Sequence, residues 1–315
     1  HPFFGLTIAA QVAFVGLKSY ADRRFKLASL RVFGLALVAA LVLYSPWVWV
    51  LVTNHKRALA TTDWSQGFPG FDYLLKLWTL SFSSLFVDLD FGFTSWLTFL
   101  LRVPFLLLLG WSLYSLYRCS DRSAWLSILT SILVPFLLLA GPDLLLGGKR
   151  SAVSRYLISC YPGIQLAIAG FLAGRSRSRP ATSYGIVGLI GISCLASLTV
   201  SAAAFTWWNK DLSYFNGEVA QRLNASSALV ISEIGDDYTN TGDLISLSYL
   251  LNKDVRLLLL RDADWAKTPE FKRQTQGTNS IVFRPTAALQ RSIAQASGPL
   301  QPVYLEGRLW KLPQN

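Results

Sequence analysis

Six apolar blocks, at about 2–20, 32–52, 96–117, 124–141, 156–174 and 184–207, fill most of the chain up to Trp207. Each is near the roughly 20 residues that the hydrocarbon core of a bilayer demands. An isolated strand could not satisfy its backbone polar groups in lipid, and the blocks lack the alternation of a barrel, so all six are expected to be helical spans. Prolines at 46, 104, 135 and 162 fall inside or near the ends of these spans, where neighbouring helices can satisfy the freed carbonyls. A content of 52% hydrophobic residues in 315 is too apolar for a soluble enzyme of this size. The chain therefore reads as an integral membrane protein.

Charge divides the chain at the same place. Of the 29 Lys and Arg, 17 lie in residues 1–207 beside 7 Asp and no Glu, whereas 208–315 hold 12 against 11 acids. Basicity concentrated in short loops between spans suits anionic lipid and membrane orientation rather than nucleic acid. The loops KSYADRRFKLASLR, RCSDRS and RSRSR hold ten of these cations on one side, which the positive-inside rule assigns to the cytoplasm. The 53–95 loop, the 142–155 loop and the C-terminal segment are then expected to face outward. Residues 71–87 have a charge-free part of only 77–87, too short to cross, and read as an interfacial helix.

After Trp207 and Trp208 the composition becomes that of a soluble domain. Segments 228–232, 255–260, 280–283 and 302–306 read as strands, and 211–224, 243–251 and 286–296 as helices. This alternation predicts a small α/β domain with a largely parallel sheet. The expected organisation is thus a transmembrane domain over 1–207 with about six helices and an extracytoplasmic α/β domain over 208–315.

The stretch that joins charge to membrane most sharply is GGKRSAVSRYLISCYP, Gly147 to Pro162, where Lys149, Arg150 and Arg155 crowd the mouth of an apolar segment beginning at Tyr156. Arg offers phosphate a planar fork and Lys a mobile point charge, so an anionic lipid headgroup is one reading; ordinary flanking charges anchoring a helix end are the other. GGKRS is not a nucleotide phosphate loop. The glycine required five positions before Gly148 is Asp143, and the residue after Lys149 is Arg.

Other motifs are weaker. Asp88-Leu89-Asp90 has the spacing of a divalent-metal carboxylate pair but reads more simply as a solvated turn. Asp236-Asp237 follows a strand at the sheet's carboxyl edge and reads as a loop capping the next helix. Arg102, within the third span, reads as a snorkelling cation. Cys119, Cys160 and Cys194 have no CxxC spacing, and with only His1 and His55 no metal site is expected.

The pattern R-S-x-x-S-R-Y-L-x-x-x-Y-P-G-I-Q-L-A from Arg150 to Ala167, the opening HPFFGLTIAAQ, and the trailing α/β segment with LISLSYLLN resemble bacterial membrane glycosyltransferases of family 39. That dolichyl-phosphate-mannose protein mannosyltransferase-like group belongs to the GT-C superfamily. The resemblance implies transfer of a sugar from a polyprenyl-phosphate donor to an acceptor at the outer face of a bacterial cytoplasmic membrane, without a cofactor or metal. It implies that Arg155 and Tyr156 match an Arg-Tyr pair near the donor phosphate, with Lys149 and Arg150 as looser matches. The family's general-base Asp is expected N-terminal to the matched region, which leaves the catalytic residue of this chain unknown and makes the chain read as the C-terminal part of an enzyme. The partners implied are the donor and membrane lipids, and not nucleic acid. The alternative class is a non-catalytic envelope protein whose helices anchor an outer domain that binds a partner or glycan.

Overall fold

The computed structural model describes residues 3–22, 27–62, 65–207, 213–234 and 238–313. The chain divides into two compact units at Ala202/Ala203.

The first unit is helical: α1 (Phe4–Asp22), α2 (Leu27–Thr53), α3 (His55–Thr62), α4 (Phe71–Ser83), α5 (Trp96–Leu100), α6 (Val103–Cys119), α7 (Arg122–Leu146), α8 (Tyr161–Ser176) and α9 (Pro180–Ala203). Among the described residues, five helical stretches are long and apolar enough to cross a membrane: Leu30–Thr53, Trp96–Cys119, Arg122–Leu146, Ser154–Ser176 and Pro180–Ala203. This is an integral membrane protein with several candidate spans and a C-terminal α/β unit. The first expected span is α1, a helix of 19 residues packed along α7. Helix α4 has 13 residues, about 20 Å at the usual rise, which is short of a roughly 30 Å hydrocarbon core.

Two of the spans are interrupted. Between α5 and α6, Pro104 has no N–H to give the Leu100 carbonyl, and the chain tightens through Leu101 and Arg102 before α6 begins. Before α8, residues Ser154–Cys160 wind as a 3₁₀ helix. In α7, Pro135 cannot donate to the carbonyl four residues back, and the buried Cys160 thiol donates nearby to the Ile132 carbonyl at 3.4 Å.

The core of this unit packs Phe86 and Val87 with Phe105 of α6, Ile132 of α7, and Ile164 and Ile168 of α8. Gly163 allows α7 and α8 to approach closely. A Cβ there would lie 2.7 Å from Ile132 Cγ1 and 3.3 Å from the Ile128 carbonyl oxygen. By contrast α2 and α9 expose apolar side chains along their length, as helices facing lipid do.

The second unit carries α10 (Asn216–Ser226), β1 (Leu229–Glu233), α11 (Tyr238–Ser248), β2 (Arg256–Leu260), α12 (Pro269–Thr275), β3 (Ser280–Phe283), α13 (Ala287–Ser297), β4 (Gln301–Tyr304) and β5 (Leu309–Lys311). The strand order is β2-β1-β3-β5-β4. The β1 strand pairs in parallel with β2 and β3, while β5 runs antiparallel to both β3 and β4. The sheet is therefore mixed, not largely parallel: β5, a three-residue strand absent from the sequence reading, returns antiparallel between β3 and β4.

Alternation along β1 and β3 builds two cores. Val230, Ile281 and Phe283 face Val219 and Leu223 of α10 and Leu244 and Leu247 of α11. Leu229, Ile231 and Val282 face Phe271 of α12 and Leu289 and Ile293 of α13. Thr268 and Thr286 cap α12 and α13 by accepting from the Phe271 and Leu289 N–H groups.

Candidate functional site: the basic turn between α7 and α8

All four residues singled out in the sequence lie in one connection, from the end of α7 to the start of α8. Helix α7 stops at Leu146 because Gly147 (φ 81°) and Gly148 (φ 144°) adopt backbone conformations that side chains resist. Gly148 has a second constraint, since a Cβ would meet Asp143 Oδ1 at 2.7 Å and the Ser65 carbonyl oxygen at 3.2 Å.

Asp143 organises the turn. It is 1% exposed, and its Oδ2 accepts the Ser151 backbone N–H at 2.6 Å. The Lys149 N–H donates to the Ser65 carbonyl at 2.9 Å, and the Trp78 indole N–H of α4 donates to Ser151 Oγ at 3.0 Å. The backbone carrying the cations is thus pinned from three directions.

The cations differ in placement. Arg150 and Arg155 are exposed and Lys149 is half-buried. Tyr156 is buried, with its ring stacked on Phe3 at 3.9 Å between centroids. The Arg155 guanidinium lies 5.3 Å from the Tyr156 centroid, a cation–π arrangement that orients the Arg without consuming its fork of donors. Tyr156 therefore acts as a platform beneath Arg155 and is itself packed with Leu157, Cys160 and Leu139. The Ser154–Cys160 winding is seven residues long, and 3₁₀ runs beyond three or four are uncommon.

A second polar cluster lies outside that turn. Arg102 does not snorkel. It is 1% exposed and bonds Asp88 Oδ1 through Nη2 at 2.5 Å and the Thr98 carbonyl through Nη1 at 2.8 Å. The Asp88 N–H donates to Ser197 Oγ of α9 at 2.8 Å. Asp88 is thus the anion of a buried pair rather than part of a solvated turn, while Asp90 keeps one buried oxygen with no hydrogen-bond partner among the described residues. No group of three or more potential metal ligands occurs among the described residues.

The segments 53–95 and 142–155, expected to face outward, contain the carboxylates Asp63, Asp72, Asp88, Asp90 and Asp143. Asp63 lies outside the described residues, as do His1 and Asp236-Asp237. Asp72 sits in the first turn of α4, where a carboxylate suits the helix dipole. Asp143, Ser151 and Trp78 were missed as organisers of the turn. Asp143 did carry a signal, being an acid embedded in the apolar run GPDLLLGG.

Compared with known proteins, the chain matches no family model, no curated protein and no solved structure at a meaningful level.

Proposed function

We propose that this protein is a membrane glycosyltransferase that holds the phosphate of a polyprenyl-phosphate-linked sugar donor on the turn between α7 and α8. The observation that carries the reading is the presentation of Arg150 and Arg155 on a pinned turn at the mouth of a candidate span. A lipid phosphate brings its charge to the membrane surface, where such a turn would meet it. Departure of the sugar builds charge on the phosphate oxygens, and fixed guanidinium groups stabilise that charge without reorganising. Arg155 is the principal contact, Arg150 and Lys149 add positive potential, and Tyr156 holds Arg155 in place.

The acceptor hydroxyl must lose a proton to a carboxylate. Asp88 is held by Arg102 and Asp143 by the Ser151 N–H, so neither is assigned that role.

The test is Arg155→Ala in the intact protein, with sugar transfer measured in membrane vesicles and insertion checked in parallel. Loss of one preorganised donor predicts a fall of about 10²–10³ in turnover, with insertion unchanged. Transfer at the wild-type rate would overturn the assignment. Failure of a photoreactive polyprenyl-phosphate analogue to crosslink within 149–156 would favour the anchored envelope protein instead.

A further inference from the structure

A groove of about 980 Å³ runs between α6, α8 and α9, lined by residues that include Leu107, Trp111, Tyr114, Phe171, Arg175 and Leu189. Leu107, Trp111 and Tyr114 are more than half exposed, so the groove opens on the lipid-facing surface of the unit. Its depth can be placed from the packing. Phe105, third in α6, clusters with Ile164, fourth in α8, whereas Gly170 in the second half of α8 abuts Leu116 in the last turn of α6, so α6 and α8 run parallel. Arg175 consequently marks the end of the groove next to the α8–α9 loop. From Pro104 to Tyr114 the groove follows α6 for ten residues, about 15 Å, or half of a roughly 30 Å hydrocarbon core.

An apolar channel one leaflet deep with a single cation at its mouth has the chemistry of a lipid tail and an anionic headgroup. Arg175 is suited to the second part. Its guanidinium lies 5.7 Å from the Phe171 ring centroid, and its Nε is buried with no hydrogen-bond partner among the described residues. Exposed Arg177 and Arg179 follow in the same loop and add positive potential. A zwitterionic headgroup brings a cation of its own into this field, whereas an anionic one does not.

We propose that the groove between α6, α8 and α9 holds one acyl chain of an anionic phospholipid, with its phosphate on Arg175. This site is separate from the turn assigned to the sugar donor. Arg155 and Arg175 lie at opposite ends of the same span, Ser154–Ser176.

The test is photolabelling of the full chain in nanodiscs of phosphatidylcholine, doped with phosphatidylglycerol or phosphatidylcholine bearing a diazirine in the acyl chain. Phosphatidylglycerol is expected to label 104–114 and 186–190 roughly fivefold more than its zwitterionic counterpart, because both carry the phosphate but only the latter brings a choline cation into the field of Arg175, Arg177 and Arg179. Arg175→Gln should remove that preference, Arg175→Lys should keep part of it, and Leu189→Trp should fill the groove and lower labelling by both lipids. Arg155→Ala should leave the labelling unchanged, which separates this result from the fate of the donor site. Equal labelling by the two lipids, or a preference that survives Arg175→Gln, would overturn the proposal.

Discussion

Replacing Arg102 by Met isolates the least expected interaction in the helical unit. The guanidinium is 1% exposed and its partner Asp88 17% exposed, so the pair sits largely out of water. Breaking a buried pair from one side costs about 3–5 kcal/mol, because the remaining charge is left uncompensated. Arg102→Met leaves the slightly solvated Asp88 without this partner and removes the donor to the Thr98 carbonyl. The expected loss is about 3 kcal/mol, toward the lower end of that range. Asp88→Leu leaves a buried guanidinium without its anion and should cost about 4–5 kcal/mol. The double variant removes both charges and should return to within about 1 kcal/mol of wild type, since apolar replacements of buried pairs are near neutral. Reversible unfolding in mixed micelles with increasing dodecyl sulfate, followed by tryptophan fluorescence, would measure all three. A loss below about 1 kcal/mol for Arg102→Met, or a double variant as unstable as the two single losses added, would refute the reasoning.

Three further outcomes are expected besides the loss of transfer in Arg155→Ala. Asp143→Ala strands the buried Ser151 N–H at a cost of about 1–3 kcal/mol and loosens the turn; trypsin should then cleave after Lys149 and Arg150 faster, and an unchanged rate would count against the pinning. Gly163→Ala should destabilise the helical unit by about 1–3 kcal/mol through overpacking, whereas Gly170→Ala, whose Cβ would meet only Leu116 Cδ2 at 3.3 Å, should cost less; the two unfolding midpoints decide it. Burial and the hydrogen bond to Glu218 push the Tyr304 phenol up to about 12. Its protonated form is favoured by folding, so its contribution to stability is intact below pH ~10 and lost as pH rises toward 12. Ultraviolet titration against Tyr304→Phe should find the phenol ionising late, and Glu218→Gln should bring it earlier.

The sequence was most legible where one physical signal dominated. Strands 228–232, 255–260 and 280–283 fall within one residue of β1, β2 and β3: β1 and β3 are apolar runs buried on both faces, and β2 is an apolar run at the sheet edge that leaves Leu257 and Leu259 exposed. Five of the six expected span blocks were equally plain, since length and apolarity alone define them, whereas the first, α1, is not among the five candidate spans of the described residues. Leu309–Lys311 escaped because three residues with a charge among them carry no periodicity, and its antiparallel return changed the sheet. Helix α12 escaped for a similar reason, with seven residues and one apolar anchor, Phe271. In the basic turn the cations were legible as composition, but their support was not. The bond from Trp78 to Ser151 spans 73 positions and that from Asp88 to Arg102 spans 14, and neither hydropathy nor spacing says which polar groups will meet.

The seven-residue 3₁₀ winding before α8 makes the aim of Arg155 a matter of pitch. A 3₁₀ helix turns about 120° and rises about 2.0 Å per residue, against about 100° and 1.5 Å for an α-helix. Five residues separate Arg155 from Cys160. Rewinding them to α geometry would swing the guanidinium about 100° around the helix axis and draw it about 2.5 Å toward α8. A change of winding confined to less than two turns would therefore act as a screw, carrying the charge from one side of the helix to another while α8 itself stayed still.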